Sequence, residues 1–394
     1  MKKNSLYIYT DSPSGCLGWR KTFPSFPKKF KLNKYISKYV TAENISFSKK
    51  KIHDYYRSTP SSDIPKNLIY INNTFELESF LQKVSKKDLI FVRERSVTAG
   101  RLQNYDLRLF KKYNVRTIFL EYYPWLLAYY PWIRCNFKKN YSLNLFRFLW
   151  RHIKKIIYSF YQINYEPTYL IGSGEEAKNT FKKSNMKKTR YINCPSFWID
   201  ISKNKKNFKK NKIIYVDENV YFSRDQYLFD KNYKKTSDVD LFIRDLNMLF
   251  DIAEKKMNSE VIIGCSEKYR YKKNIFGGRK IIYGKTLELI SSSKLVLGHR
   301  SDALFQAVYA ETPTILLKHK TFALKRNLFI NLRSINHFNK KAYFIEDYLD
   351  KKVVVDFNID KNFVRKLVKN HFLSPGIKKE NFSKKIVREL NQLN

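Results

Sequence analysis

Cysteine, proline and glycine are all scarce in this chain of 394 residues. Eleven glycines and eleven prolines exclude the collagen-like and linker-like classes. The apolar runs are shorter than the ~18 residues that a membrane-spanning helix needs. The basic N-terminal tip precedes only a short apolar stretch, which predicts a first strand and not a secretion signal. Widely spaced cysteines without a CxxC pair argue against a zinc ribbon or disulfide framework and favour a reducing compartment; they are Cys16, Cys135, Cys194 and Cys265.

Acidic residues are also scarce, with 35 Asp and Glu against 77 Lys and Arg, so the formal net charge is +42. So basic a chain raises nucleic acid as a partner. The basic residues are nevertheless spread evenly along the sequence, whereas a nucleic-acid footprint is a patch or stripe. We therefore expect a solvated basic surface that favours phosphate-bearing substrates and anionic lipid headgroups, and we do not expect nucleic acid.

The segment 122–165 holds no Asp or Glu and carries fifteen aromatic residues. Within it, residues 143–161 place basic side chains on one helical face and apolar ones on the other, as in a helix lying in a membrane interface. A core-facing helix of a soluble domain fits the same pattern. The first interpretation predicts a cytoplasmic protein that binds peripherally to the inner face of the plasma membrane. Its membrane-facing residues would be Trp125, Trp132, Arg147, Trp150, Arg151, Lys154 and Lys155.

Short β-rich runs alternate with helical patterns in both halves, which predicts βαβ units and parallel sheets. In the second half, 238–257 carries apolar residues at helical spacing. We predict an α/β fold of two facing, Rossmann-like, doubly wound domains. The expected boundaries are an N-terminal acceptor-side, membrane-facing domain at 1–205, a nucleotide-sugar domain at 206–355 and a helical crossover at 356–394.

One strand, turn and helix pattern carries the candidate chemistry. The strand Leu295–Leu297 is followed by Gly298-His299-Arg300-Ser301, and a helix is expected from Asp302. Ser301 suits an N-cap, and the amides of 302–304 at the helix start would form an anion site. Gly298 permits the tight turn. Arg300 or His299 would add a charge-assisted bond to a phosphate.

The sequence 276–317, FGGRKIIYGKTLELISSSKLVLGHRSDALFQAVYAETPTILL, resembles the nucleotide-sugar domain of GT-B glycosyltransferases. It is similar in particular to bacterial proteins of surface-polysaccharide biosynthesis, such as those of capsule, O-antigen and lipopolysaccharide. The resemblance covers roughly residues 190–320. It implies that Phe305-Gln306-Ala307 stands where many relatives have a Glu-Ala pair that holds the donor ribose.

Gln306 would then bind the ribose hydroxyls without the charge of a carboxylate. After the strand Val261–Ile263, relatives that use cytidine-monophosphate-activated acidic sugars have a His-Pro pair, and this chain has Gly264-Cys265-Ser266-Glu267. The resemblance therefore implies either a different donor near Gly264 or an inactive copy. Arg279 flanks the next strand and is expected to reach the donor phosphate or base.

An inverting transferase needs a general base, which in two-domain enzymes projects from the first half. Asp11, Glu94 and Glu121 follow predicted strands there, so each is a candidate if burial tunes its pKa. Neither a DxD pair in a suitable turn nor a His-rich ligand set is present, which agrees with transfer that needs no metal or other cofactor.

The leading hypothesis is a glycosyltransferase that moves a sugar from a nucleotide-sugar donor to a lipid-linked or surface glycan acceptor. One alternative is a nucleotide-sugar epimerase-like enzyme on the same fold. Another is a non-catalytic protein that binds membranes or nucleic acid.

Overall fold

The structure is a computed structural model, and two sets of residues are described by it. The first set is 4–10, 35–41, 68–92, 105–121, 165–184 and 186–196. The second is 211–219, 238–266, 270–322, 326–327, 330–331, 334–335, 338–350, 359–377 and 382–392. The chain divides into two compact units. The described residues up to 196, together with 373–392, form the first unit, and those from 211 to 372 form the second.

The first unit contains a parallel sheet whose described strands are in the order β3-β2-β1-β4-β5-β6-β7. These strands are β1 (Asn4–Thr10), β2 (Tyr35–Thr41), β3 (Leu68–Tyr70), β4 (Leu89–Val92), β5 (Thr117–Glu121), β6 (Tyr169–Gly172) and β7 (Arg190–Asn193). Its helices are α1 (Thr74–Gln82), α2 (Tyr105–Lys112), α3 (Gly174–Lys183) and, from the C-terminal end of the chain, α9 (Phe382–Gln392).

The second unit repeats the same winding with six described strands, all parallel, in the order β10-β9-β8-β11-β12-β13. They are β8 (Lys212–Asp217), β9 (Val261–Cys265), β10 (Ile281–Tyr283), β11 (Ser293–Gly298), β12 (Thr314–Lys318) and β13 (Tyr343–Phe344). The helices are α4 (Val239–Met257), α5 (Thr286–Ser291), α6 (Leu304–Tyr309), α7 (Ile345–Leu349) and α8 (Lys361–His371). Two doubly wound parallel sheets confirm the predicted α/β fold class.

The helix α4 illustrates how the sequence specifies an element. Its apolar residues recur every three or four positions, so one face is buried, including Phe242, Leu246 and Phe250. The helix ends at Asn258, whose φ of 45° is left-handed and whose amide donates to the Glu254 carbonyl. The buried face packs onto β8, β9 and β11 and forms the core of the second unit.

The C-terminal residues contribute to both units. In the second unit, Val364 and Leu367 of α8 pack against Val308 of α6. In the first unit, the Ser374 hydroxyl donates to Asn193 at 3.2 Å, and Arg190 lies 3.9 Å from Glu389 of α9. The predicted C-terminal segment 356–394 therefore supplies a helix to each unit.

Candidate functional site

The second sheet reverses its winding between β8 and β11. From β8 the chain proceeds outward through β9 and β10 and then returns to β11, which pairs with the other side of β8, Val216 lying opposite Gly298. In open parallel sheets, ligands bind beyond the carboxyl ends of the strands at such a switch point. The residues that follow β8 and β11 therefore form the candidate site.

An ion pair joins the two strand ends. The Arg300 backbone amide donates to Glu218 Oε1, and Arg300 Nε donates to Glu218 Oε2 at 3.2 Å. The Arg300 side chain is 34% exposed, whereas the Glu218 side chain is 12% exposed. Glu218 thus orients a guanidinium at the mouth of the switch point, where it is accessible to an anion.

Ser301 caps the turn that follows. Its hydroxyl accepts from the Ala303 amide at 3.2 Å, as the sequence predicts for an N-cap. The Leu304 amide donates to the Ser301 carbonyl and the Phe305 amide to the Asp302 carbonyl, so a tight turn precedes α6. This corrects the expected anion cradle, because the Ala303 and Leu304 amides donate within the turn. The helix starts at Leu304 and not at Asp302.

His299 is a core residue and not the expected phosphate contact. It is fully buried, with Nδ1 2.7 Å from the Leu317 carbonyl and Nε2 2.9 Å from the Tyr215 hydroxyl. A carbonyl only accepts, so Nδ1 carries the proton and Nε2 accepts from Tyr215. Burial lowers the pKa of His299 to about 3, which keeps the ring neutral.

Arg279 is likewise engaged elsewhere. It precedes β10 and so lies at the amino end of that strand, away from the carboxyl edge. Arg279 Nη2 lies 2.6 Å from Glu254 and 2.5 Å from Asp251, and the guanidinium lies over the Phe250 ring. The side chain is only 10% exposed. Arg279 therefore fastens the β10 loop to α4, and this corrects its expected role in donor binding.

The two glycines assigned to donor binding have packing roles in the structure. A Cβ on Gly298 would lie 3.0 Å from Leu304 Cδ2, so the missing side chain lets α6 approach β11. A Cβ on Gly264 would lie 3.3 Å from Thr286 Cγ2 in α5. Both glycines therefore support close contact between helix and strand.

Gln306, the expected ribose contact, is fully buried in α6. Neither its Oε1 nor its Nε2 has a hydrogen-bond partner. An unsatisfied buried amide is destabilising and requires an explanation. No direct access to a ribose follows from this position.

Sequence reasoning missed the polar network around Asp217. The Tyr271 hydroxyl donates to Asp217 Oδ2 at 2.7 Å, the Cys265 thiol donates to the same oxygen at 3.4 Å, and the Asn219 amide donates to Oδ1 at 3.0 Å. Burial raises the pKa of Asp217, and these donors oppose the rise. Tyr271 is 54 residues away in sequence, so no local pattern signals the contact.

The first unit has its own switch point between β1 and β4, where Tyr9 lies opposite Val92. Asp11 directly follows β1, and Glu94 lies two residues beyond β4, but both are outside the described residues. Glu121 is the last residue of β5 and pairs with Gly172 of β6. The predicted membrane-facing residues also lie outside the described part of the chain: Trp125, Trp132, Arg147, Trp150, Arg151, Lys154 and Lys155. No helix among the described residues is both long and apolar enough to cross a bilayer.

No protein-family model matches this chain, and neither does any curated protein sequence. Several solved structures are similar to it. A Listeria monocytogenes protein described as a UDP-N-acetylglucosamine 2-epimerase shares 10% identity, with 97% of this chain and 94% of that chain covered and a TM-score of 0.46. The UDP-GlcNAc 2-epimerase of Neisseria meningitidis, bound to UDP-GlcNAc, shares 11% identity over 99% of both chains, with a TM-score of 0.45.

A spinosyn forosaminyltransferase shares 8% identity, with 100% of this chain and 95% of that chain covered and a TM-score of 0.36. Every TM-score given lies below 0.5, so the functional inference rests on the residues of this chain.

Proposed function

We propose that this chain is an enzyme acting on a nucleotide sugar, with the phosphates bound at the switch point of the second unit. The observation that carries the proposal is the Arg300–Glu218 pair, which lies where β8 and β11 end on either side of the reversal. Ligand binding at this position follows from the topology of parallel sheets. An exposed guanidinium there selects an anionic ligand.

The chemistry of the pair suits a phosphate. Guanidinium donors form charge-assisted bonds to phosphate oxygens. The same bonds stabilise negative charge that develops on a departing nucleotide. Glu218 holds Arg300 at the strand ends, so the guanidinium is oriented before the ligand arrives.

Two reactions fit a bound nucleotide sugar. In the first, the sugar moves to a lipid-linked or surface glycan acceptor, and one of Asp11, Glu94 and Glu121 removes the acceptor proton. In the second, the nucleotide sugar is converted without an acceptor, as in an epimerase. Conversion is the reaction named for the Listeria and Neisseria proteins, and transfer is the reaction named for the spinosyn enzyme. Acceptor dependence separates the two.

Binding is tested first by titrating the pure, folded chain with uridine-, cytidine- and guanosine-linked sugars in a calorimeter. Arg300→Ala is expected to weaken the affinity about 10- to 100-fold, because hydrogen bonds to charged groups contribute about 1.5–3 kcal/mol. Arg365→Ala is the matched control, since Arg365 is an exposed arginine of α8 in the same unit. Failure of every nucleotide sugar to bind, or equal losses in both variants, contradicts the proposal.

The reaction is tested by incubating the nucleotide sugar that binds with the chain alone and following the sugar signals by NMR. A new sugar isomer without acceptor indicates conversion. Turnover that appears only after a lipid-linked glycan is added indicates transfer.

A further inference from the structure

A histidine and two carboxylates from three separate elements converge in the second unit. His319 directly follows β12, Asp245 lies in α4 and Glu346 lies in α7. His319 Nε2 is 3.3 Å from Asp245 Oδ2 and 3.3 Å from Glu346 Oε1. The side chains are 0%, 5% and 19% exposed, respectively. The ligand atoms of all three side chains lie within 4.8 Å of one another.

Hydrogen bonding accounts poorly for this cluster. One Nε2 proton faces two carboxylate oxygens, and both distances exceed the 2.7–3.2 Å typical of N–H···O bonds. The other oxygen of Glu346, Oε2, is buried and has no hydrogen-bond partner. Two carboxylates close together are therefore only partly satisfied by the imidazole.

The surroundings compensate the charge incompletely. Arg244 donates to Asp245 Oδ1 at 2.9 Å, but its side chain is 66% exposed. The Lys320 amide donates to Glu346 Oε1 at 2.8 Å. Neither contact satisfies Glu346 Oε2, which leaves the cluster suited to a cation.

The spacing matches tetrahedral coordination. With metal–ligand bonds of ~2.0–2.1 Å, two ligands of a tetrahedral zinc ion lie about 3.3–3.4 Å apart. Both distances from His319 Nε2 have this length. His319 Nδ1 lies 2.7 Å from the Thr321 hydroxyl, which can accept the Nδ1 proton and so leave Nε2 free to bind a metal. Imidazole with carboxylates suits zinc, whereas calcium and magnesium prefer a shell of oxygens.

We propose that Asp245, His319 and Glu346 bind a zinc ion, with the fourth position taken by water or by Glu346 Oε2. The ion joins α4, the residue after β12 and α7. It thereby holds the edge strand β13 and its helix against the sheet. The role is structural and does not depend on the proposed function.

The test uses the full-length, untagged chain after treatment with a chelator. Zinc chloride is expected to bind with one ion per chain in a calorimeter and to raise the midpoint of thermal unfolding. Cobalt(II) in its place is expected to give the intense visible absorption of a tetrahedral site.

Glu346→Gln and Asp245→Asn keep the side-chain shapes and are each expected to weaken zinc binding by ~100-fold or more, since each removes a ligand. Asp347→Asn is the matched control, because it removes the same charge one residue away in α7 and is expected to bind zinc like the wild type. Equal zinc binding in all three variants would place the metal elsewhere and overturn the proposal. An absence of zinc-dependent stabilisation in the wild type would also overturn it, and this measurement requires no variant to fold.

Discussion

Gln306 leaves two buried polar atoms without hydrogen bonds in α6. Gln306→Met keeps the volume and removes both atoms, so we expect the free energy of unfolding to rise by about 1–3 kcal/mol. Chemical denaturation measures the change. Gln82→Met is the matched control at an exposed position of α1 and is expected to have little effect. Destabilisation by Gln306→Met would show that the buried amide has a partner when the protein is in solution.

His299 predicts a pH dependence of stability. Its folded pKa of about 3 lies below the ordinary 6.5, so the unfolded chain takes up the proton first as the pH falls. The contribution of neutral His299 is complete above pH 6.5 and is lost towards pH 3, at about 1.4 kcal/mol per pH unit. We expect His299→Gln to flatten the difference in unfolding free energy across this range, as measured by denaturation at several pH values. An unchanged slope would contradict the neutral, buried ring.

At the residue scale, the sequence predicts the Ser301 cap because capping depends on neighbours two residues away. It fails for His299 and Arg279, whose partners Tyr215, Glu254 and Leu317 are distant in sequence. The same holds for His319, which is 74 residues from Asp245. A polar residue beside a turn can face the ligand edge or the core, and tertiary packing decides which.

Gly298 controls the contact between β11 and α6. A Cβ at this position would lie 3.0 Å from a Leu304 side chain that is fully buried and so has little room to shift. We expect Gly298→Ala to lower the free energy of unfolding by about 1–3 kcal/mol. In a Leu304→Ala background the loss should be smaller, because the smaller side chain removes the clash.

Gly278→Ala is the comparison for this cycle. A Cβ on Gly278 would meet nothing within 4 Å, and its φ of 80° makes any cost conformational. Its effect is therefore expected to be the same with and without Leu304→Ala. Additive effects of Gly298→Ala and Leu304→Ala would argue against direct contact between them.

At the element scale, the sequence predicts the long amphipathic helix and the buried strands well. The predicted helix 238–257 is observed at Val239–Met257, and the predicted strand Val261–Ile263 at Val261–Cys265. It missed β2 and β7, whose residues mix polar with apolar, and the two-residue β13. Such strands form because a neighbouring strand offers its backbone, and not because of their own pattern. The predicted strand Lys352–Val355 lies outside the described residues.

The net charge of +42 predicts behaviour of the whole molecule. If 122–165 binds a membrane, replacing Arg147, Arg151, Lys154 and Lys155 by Gln should weaken binding to anionic vesicles on the order of 100-fold, since each basic residue near the surface contributes ~1 kcal/mol. Co-sedimentation with phosphatidylserine vesicles measures the change.

The control for this experiment removes the same charge elsewhere. Gln in place of Lys203, Lys205, Lys206 and Lys209 also removes four positive charges, within 201–212. Equal losses in the two variants would indicate attraction by total charge and not by this segment. Binding that persists in both at 0.15 M salt would contradict an electrostatic contribution, because exposed charges are strongly screened there.

The outermost described strands of the two sheets are all short. They span three residues in β3, four in β7, three in β10 and two in β13. A short border strand offers few open amides and carbonyls for another chain to join. For a chain that is 16% aromatic, this limits end-to-end stacking of sheets into fibres and should help concentrated samples remain dispersed.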